Sequence, residues 1–190
     1  MNWNDDDRMK AVAVYCGSSD GVDKRFVDAA YELGREAACR GWNTVTGAGA
    51  RGLMGAVVRG TIDGGSEAIG VIPQFMVDRG WANPDMSLTH ITADMHARKR
   101  LMADLSSGAI ALPGGVGTFD ELMEIITWRQ LGLYRHPVVL LNTLGYYDGL
   151  LDMLDHAARC GMLRVTEQDG PLWQVASTSQ QAIDIIESTL

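Results

Sequence analysis

The segment Pro113–Thr118 (PGGVGT) lies between an apolar stretch that is typical of a strand and a helical pattern. Small residues at such a junction let backbone N–H groups approach an anion, and the dipole of the following helix favours negative charge there. We therefore predict a phosphate site, and a tight turn without a ligand is the alternative. The segment is neither a Walker loop nor a dinucleotide fingerprint. The residues predicted to contact the phosphate group are Gly114, Gly115, Val116, Gly117 and Thr118.

Glu121 follows Thr118 by three residues, and this spacing allows two interpretations. Thr-x-x-Glu is the pattern of a capping box, in which the glutamate only satisfies the backbone N–H of the cap residue. A carboxylate one turn beyond a bound phosphate would also lie near the sugar of a nucleotide. There it could stabilise the oxocarbenium-like charge of glycosidic cleavage, and could activate water or form an ester. Asp120 and Glu124 are acidic neighbours.

The segment 95–100 (MHARKR) places cations in the first turns of a predicted helix, where the helix dipole disfavours positive charge. Met95, Arg98, Lys99 and Met102 share one face by their spacing, and Met95 is a candidate substrate contact. An arginine fork holds a phosphate or a carboxylate with two hydrogen bonds. Arg98 could therefore clamp a substrate, or orient Glu121 and keep that carboxylate ionised. An ordinary solvated helix face is the alternative.

Two further glycine-bearing segments follow predicted strands, at residues 17–21 (GSSDG) and 47–55 (GAGARGLMG). In open parallel sheets, ligands bind at the carboxyl ends of strands, where helix N-termini point. We therefore expect these turns and Pro113–Thr118 to share one cleft, with Gly17 and Ser18 among the substrate contacts. No group of His, Cys, Asp or Glu residues has the spacing of metal ligands, so we predict no metal site.

The elements that carry these motifs alternate along the chain. Apolar segments predict strands at residues 10–16, 42–46, 68–72, 88–92, 109–112, 138–141 and 172–176. Helical patterns lie between them and after the last one, including 53–63, 119–131, 148–160 and 179–187. Another runs from the N-cap Asp94 to about residue 106, with Ala97, Leu101 and Leu105 as its buried strip. This rhythm predicts a three-layer, doubly wound (Rossmann-like) α/β fold, with a mostly parallel sheet and helices on both faces. Residues 73–87 lack a period and are interpreted as a long functional loop.

Length and composition favour one globular unit. At 190 residues and 46% hydrophobic residues, we expect a single nucleotide-binding domain at 10–190 after a disordered acidic tail at 1–9. The apolar segments are too short to cross a bilayer, and the first residues do not resemble a secretory signal. The net charge of −8 disfavours non-specific nucleic-acid binding. Three cysteines without C-x-x-C spacing fit a reducing, cytoplasmic setting.

Three motifs in this order resemble the Lonely Guy family of cytokinin-activating phosphoribohydrolases: GxGxxGLMG at 47–55, MHxRK at 95–99 and PGGxGTxxE at 113–121. The resemblance extends from about Val12 to the end of the chain. It implies hydrolysis of the N-glycosidic bond of an N6-modified adenosine 5'-monophosphate to the free base and ribose 5-phosphate, without a cofactor. It also implies that Arg98 and Glu121 are the catalytic pair. The implied nucleotide contacts are Lys99, residues 115–118 and Thr127.

Other functions remain open at this point. The family has carried the label lysine decarboxylase, but a pyridoxal-dependent decarboxylase needs a Schiff-base lysine, and the surroundings of Lys99 do not resemble such a site. A general purine nucleotide nucleosidase acting on AMP, and a nucleotide-binding module without turnover, are the two alternatives. Many relatives carry a glutamate where this chain has Gly80, after Arg79, which puts one base or ribose contact in question.

The helix predicted from Phe119 to Leu131 is apolar nearly all round. One apolar stripe suffices to pack a helix on a sheet, so the remaining apolar face is expected to meet a partner. We predict a homodimer whose interface helps to complete the cleft, as the family resemblance also implies. The alternative is that the whole helix is covered by its own chain.

Overall fold

The computed structural model describes residues 10–163 and 170–188. Its strands form one parallel sheet in the order β4-β3-β2-β1-β5-β6-β7. They are β1 (Ala11–Tyr15), β2 (Asn43–Thr46), β3 (Ala68–Pro73), β4 (Leu88–Thr92), β5 (Ala109–Ala111), β6 (Val138–Leu141) and β7 (Gln174–Ala176). The helices are α1 (Lys24–Cys39), α2 (Gly52–Asp63), α3 (Gln74–Asp78), α4 (Met95–Asp104), α5 (Val116–Gln130), α6 (Asp148–Arg159) and α7 (Ser179–Glu187), with a 3-10 turn at Thr143–Gly145. The predicted fold class is confirmed.

Both faces of the sheet are covered by helices, which explains why its central strands are apolar without interruption. In β1, Val12 and Val14 point into a core shared with α1, α2 and α7. Alternate residues of the same strand, such as Ala13 and Tyr15, belong to a second core with side chains of α4 and α5. The two cores make the three layers that the alternating pattern predicted.

The sheet has a topological switch point at β1, which pairs with β2 on one side and with β5 on the other. The loops that follow β1 and β5 therefore lead away from each other, but a backbone hydrogen bond joins them where they leave the sheet. The backbone N–H of Gly17 donates to the carbonyl oxygen of Pro113 at 3.1 Å. A Cβ on Gly17 would lie 3.3 Å from the Cα of Gly114, so the close approach of the two turns favours glycine here. A crevice opens at this carboxyl edge of the sheet.

Helix α4 differs from its predicted packing. Asp94 caps it as predicted, since the Asp94 carboxylate accepts from the Ala97 N–H at 2.8 Å. The predicted buried strip was wrong, because Ala97 is exposed and Leu101 and Leu105 are only half-buried. Residues buried instead are Arg98, Lys99, Met102 and Ala103. A prediction from apolar periodicity places charged side chains in solvent. Here Arg98 and Lys99 are buried because the neighbouring helix α5 supplies acidic partners for them.

Two other predictions differ from the structure by more than two residues. Helix α5 begins at Val116, three residues earlier than predicted, so the second half of the glycine-rich turn is its first helical turn. The segment 73–87, predicted as a loop, contains the five-residue helix α3 and is otherwise mostly irregular.

The predicted acidic tail at 1–9 lies outside the described residues, and a single domain at 10–190 stays a prediction. Within the described ranges, no helix combines the length and apolar character that a membrane span requires.

Candidate active site

A cleft of about 620 Å³ lies at the switch point of the sheet. It is bounded by the turns that follow β1, β2 and β5, as the sequence predicted, and by the segment that follows β3. Eight of the predicted site residues line it: Gly17, Ser18, Arg98, Gly115, Val116, Gly117, Thr118 and Glu121.

The other four predicted site residues are not among those that line this cleft. Gly114 borders a smaller adjoining cavity of about 300 Å³. The sulfur of Met95 lies 3.9 Å from Nη1 of Arg98. Thr127 is exposed, and its hydroxyl donates to the carbonyl of Met123 in the same helix. The ammonium group of Lys99 is engaged with acidic residues of α5. Nucleotide contacts from these residues stay predictions.

The N-terminus of α5 opens into the cleft. Gly115 is the N-cap residue and has no side chain to cap the helix, while Val116, Gly117 and Thr118 form the first turn. The first N–H groups of a helix have no acceptor within it, so this turn offers backbone donors and the positive end of the helix dipole. The capping-box interpretation is wrong, because Thr118 lies inside the helix and Glu121 therefore does not follow an N-cap threonine.

Arg98 and Glu121 form a buried ion pair across α4 and α5. Nη1 of Arg98 lies 3.1 Å from Oε1 of Glu121, and the two side chains are 7% and 6% exposed. Nε of Arg98 also donates to the carbonyl oxygen of Val71 at 3.1 Å. A Cβ on Gly47 would lie 1.7 Å from Nη2 of Arg98, so only glycine leaves room for the guanidinium. The arginine is therefore held in one position at the cleft wall.

Burial dominates the electrostatics of Glu121. Desolvation raises the pKa of this carboxyl from 4.5 to about 7, although the charge of Arg98 lowers it. The expectation from the sequence that Arg98 keeps Glu121 ionised identified the right partner, but burial raises the pKa by more than the charge of Arg98 lowers it. Near neutral pH, the carboxyl group is divided between its protonated and ionised forms.

A second ion-pair group runs beside the first. Nζ of Lys99 lies 3.0 Å from the carboxylates of both Asp120 and Glu124. Burial alone would lower the pKa of Lys99, but hydrogen bonds to these two acids raise it above its ordinary value. The solvated-face alternative is wrong for Arg98 and Lys99, which are 7% and 8% exposed, whereas Arg100 is exposed.

Part of the cleft wall was missed by the sequence analysis. Beside Met54 of the predicted segment 47–55, three apolar side chains line it from β3, α3 and the segment after α3, namely Ile72, Met76 and Trp81. The only signal for the last two was their position in the long segment 73–87, which was predicted to be functional. Cys16 also lines the cleft, and burial raises the pKa of its thiol well above its ordinary value. Among the described residues, no group of three or more His, Cys, Asp or Glu residues is placed to hold a metal ion.

Comparison with known proteins decides the family. The family model described as "Possible lysine decarboxylase" matches residues 54–186. The chain is 43% identical over 162 residues to cytokinin riboside 5'-monophosphate phosphoribohydrolase LOG3 of Arabidopsis thaliana, covering 85% of this chain and 75% of that protein. The chain belongs to the Lonely Guy family. A second member, the probable enzyme LOGL2 of Oryza sativa subsp. japonica, is 42% identical over 180 residues, which cover 95% of this chain and 73% of that one.

Solved structures share the fold of this Lonely Guy family member at lower identity. The Moco carrier protein of Chlamydomonas reinhardtii superposes with a TM-score of 0.71 at 23% identity, over 95% of this chain and 97% of that chain. The molybdenum cofactor binding protein of Rippkaea orientalis gives a TM-score of 0.73 at 22% identity, over 96% and 98%. At this identity the likeness concerns the fold alone.

Proposed function

We propose that this protein hydrolyses the N-glycosidic bond of adenosine 5'-monophosphates that carry an N6 substituent. Its relatives are named as established or probable cytokinin riboside 5'-monophosphate phosphoribohydrolases, which supports the proposal. The products are the free base and ribose 5-phosphate. The observation that carries the proposal is the buried pair of Arg98 and Glu121, which lines a cleft beside the open N-terminus of α5. A carboxylate and an anion site in the same cleft suit a substrate with a sugar and a 5'-phosphate.

The phosphate group is assigned to the first turn of α5. The backbone N–H groups of Val116, Gly117 and Thr118 supply donors, and the helix dipole attracts the negative charge. A Cβ on Gly114 would lie 2.0 Å from the Thr118 hydroxyl, so glycine at this position lets the turn close on the threonine. The chain carries a net charge of −8, which repels an anionic substrate. The backbone donors of this helical turn are proposed to counteract that repulsion locally.

Glu121 is proposed to act on the sugar. Cleavage of the bond between the base and C1' leaves positive charge on the ribose, and an ionised carboxylate stabilises that charge. Water supplies the hydroxyl group that is added to C1', and a proton is added to the departing base. Arg98 is proposed to hold Glu121 in place through the 3.1 Å ion pair and to favour its ionised form.

The description of the matching family model points to a different chemistry, which the lysines do not support. A decarboxylase that uses pyridoxal phosphate needs a lysine in the cleft to form the Schiff base. All three lysines of the chain are described, and none of them lines the cleft. Lys99 is engaged by Asp120 and Glu124.

Product analysis tests the proposal. The protein is incubated with AMP or with its N6-prenylated derivative, and free base and ribose 5-phosphate are quantified. We expect equimolar products and faster turnover of the prenylated substrate. Glu121→Gln is expected to lose at least a thousandfold in kcat while still binding the nucleotide, because the amide keeps the shape but not the charge. The matched control Glu124→Gln, on the same helix, is expected to stay within about tenfold of the wild type.

Each other outcome of that experiment identifies an alternative. Equal or faster turnover of AMP would indicate a general nucleotide nucleosidase. Nucleotide binding without any product would indicate a binding module. Turnover of Glu121→Gln within tenfold of the wild type would remove Glu121 from the mechanism.

We also propose that the protein is a homodimer built on α5. Leu122, Ile125 and Ile126 of this helix are buried in the core of their own chain, but Phe119 and Leu131 are 37% and 63% exposed. Near the two ends of the helix, Val116 and Leu133 are 85% and 61% exposed. Val116 also lines the cleft, so a partner that covers these exposed apolar side chains (Val116, Phe119, Leu131 and Leu133) would help to complete the site.

Light scattering over a range of concentrations tests the assembly. We expect twice the monomer mass for the wild type and the monomer mass for Leu131→Arg. The control Met153→Arg, on α6, replaces another side chain that is 61% exposed and is expected to leave the dimer intact. A fully active wild-type monomer would refute the proposal.

A cytoplasmic setting is the remaining proposal. All three cysteines lie in the described part of the chain and are free thiols, with Cys39 and Cys160 exposed. Exposed free thiols suit a reducing compartment. Fractionation of the source cells, with the protein traced by antibody, tests this assignment.

A further inference from the structure

Trp81 is a large aromatic side chain that remains 52% exposed at the wall of the cleft. It follows α3 in the segment between β3 and β4, a part of the chain that the proposed chemistry does not use. Among the described residues that line the cleft, it is the only aromatic one. Aromatic side chains of this size bury much apolar area when a ligand covers them.

The position of Trp81 is supported on several sides. Its backbone N–H donates to the carbonyl of Met76 at 3.1 Å. The guanidinium carbon of Arg79 lies 5.2 Å from the centre of the Trp81 ring and 5.4 Å from that of Phe75. Two residues further on, the N–H of Asn83 donates to the carbonyl of Ala48 at 2.8 Å, which ties the segment to the turn after β2. An aromatic ring held in this way loses little conformational freedom when it binds a ligand.

We propose that Trp81 is the specificity-determining residue for the base, and that its indole ring stacks on the purine of the substrate. The inference rests on the proposed function, which requires a nucleotide in this cleft. The donors for the phosphate lie on α5, whereas most of the large apolar side chains that line the cleft (Met54, Ile72, Met76 and Trp81) come from α2, β3, α3 and the segment after α3. A purine has apolar faces, so the apolar side of the cleft is the side that suits it.

Arg79 determines which face of the indole ring is used. Its guanidinium occupies one face by a cation–π contact, so the base stacks on the opposite face. Stacking of a base on an aromatic side chain changes affinity by about 5-fold to 150-fold when that side chain is removed. The contribution is absent for a ligand that has the sugar and the phosphate but no base.

Binding of two ligands to three variants tests the proposal. Dissociation constants for AMP and for ribose 5-phosphate are measured by calorimetry on the full chain, with Glu121→Gln present in every protein compared so that AMP is bound but not hydrolysed. For Trp81→Leu we expect at least fivefold weaker AMP binding and ribose 5-phosphate binding within twofold of the wild type. For Trp81→Phe we expect an AMP dissociation constant between that of the wild type and that of Trp81→Leu. The matched control Phe75→Leu removes the other ring that contacts Arg79, does not line the cleft, and is expected to bind both ligands within twofold of the wild type.

Quenching of tryptophan fluorescence by AMP gives a second measurement that does not depend on the leucine variant folding. We expect AMP to quench the wild type and to quench Trp81→Phe by less than half as much. Unchanged AMP affinity in Trp81→Leu, or unchanged quenching in Trp81→Phe, would overturn the proposal. Equal weakening of both ligands with a changed mass in light scattering would also overturn it, since Trp81 would then belong to an interface.

The outcomes separate this inference from the proposed function. If AMP binds through Trp81 but no product forms, the stacking role stands and the hydrolase proposal fails. If product forms and Trp81→Leu binds AMP as the wild type does, the hydrolase proposal stands and the stacking role fails.

Discussion

The pH dependence of catalysis follows from the burial of Glu121. If the ionised carboxylate is the active form, the rate has an acid limb at the pKa of this group, which desolvation raises to about 7. An exposed glutamate would give its limb near 4.5. The reaction is therefore followed between pH 5 and pH 8, a range in which an ordinary carboxylate remains mostly ionised.

The expected size of the effect can be worked out from this value. With a pKa of about 7, roughly 90% of Glu121 is ionised at pH 8, about 50% at pH 7 and about 10% at pH 6. We therefore expect kcat/KM to fall about tenfold from pH 8 to pH 6, and about ninetyfold from pH 8 to pH 5. With an unperturbed carboxyl group, the change from pH 8 to pH 6 would be about 3%.

The assay is the initial rate of base release in buffers of constant ionic strength, with kcat and KM determined at each pH. The second ionisation of a phosphate ester, near pH 6, falls in the same range and has to be separated. Binding of AMP to Glu121→Gln over the same pH range reports the phosphate alone, because this variant lacks the titrating carboxyl group. The pH dependence of this binding constant, on a logarithmic scale, is subtracted from that of kcat/KM for the wild type.

A corrected kcat/KM that stays constant between pH 6 and pH 8 would refute the reasoning. It would mean either that Glu121 is not the group that must be ionised, or that Arg98 outweighs burial and keeps the carboxyl ionised throughout. Carbon-13 NMR of the glutamate side chains distinguishes these two cases, since it detects the titration of Glu121 whether or not the rate depends on it.

Three further outcomes are expected. Gly47→Ala should lower kcat/KM at least a hundredfold without unfolding the protein, because the added Cβ would lie 1.7 Å from Nη2 of Arg98, whereas Gly149→Ala, which meets nothing within 4 Å, should leave kinetics unchanged. Lys99→Met should move the acid limb of the pH–rate profile to higher pH, because the negative charges of Asp120 and Glu124 would then raise the pKa of Glu121 without the opposing lysine charge. An acid limb at the same pH, together with a raised KM, would instead indicate that Lys99 binds the nucleotide. Activity should survive EDTA, since the described residues present no metal-binding group of three or more side chains; a loss that a divalent ion restores would contradict this.

The order of strands and helices was predictable because period and turn signals are local. Strand β4, strand β6 and helix α7 have the predicted bounds. The start of α5 was not predictable in the same way, because three glycines near Val116 have low helix propensity. That turn packs against Gly17 after β1, a contact between parts of the chain that lie about a hundred residues apart. Pairing of β1 with both β2 and β5 is likewise a property of the assembled sheet.

The site was predictable in its residue types and less so in its energetics. The shared face of Arg98 and Lys99 followed from helical spacing, and both lie on the buried side of α4. The direction of the Glu121 pKa shift did not follow, because a sequence shows the charged neighbour but not the loss of solvent. Trp81 was missed because no periodicity links residues 73–87 to the switch point.

The stability of the fold gives an independent test of what the buried pair is for. The pKa of Glu121 is raised in the folded state, so its protonated form stabilises the fold relative to its ionised form. This contribution is fully present below pH 4.5 and is lost as the pH rises through about 7. A shift from 4.5 to about 7 corresponds to a loss of roughly 3 kcal/mol in the free energy of unfolding above pH 8.

Glu121→Gln carries no titrating group and should lack this loss. Its amide oxygen can still accept from Arg98, which also keeps its bond to the Val71 carbonyl. Urea unfolding of both proteins at pH 5 and pH 8 should therefore show a wild type whose free energy of unfolding falls by about 2.5 kcal/mol, because part of the loss has already occurred at pH 5. The variant should show only the change that other titrating groups cause in both proteins. An ion pair retained for stability would behave in the opposite way, since removing one partner of a buried pair costs about 3–5 kcal/mol. A variant that is less stable than the wild type at pH 8 would assign Glu121 to the fold. A variant that is more stable at pH 8 and inactive would mean that the ionised carboxylate is kept at a cost to stability, as expected of a group that serves catalysis.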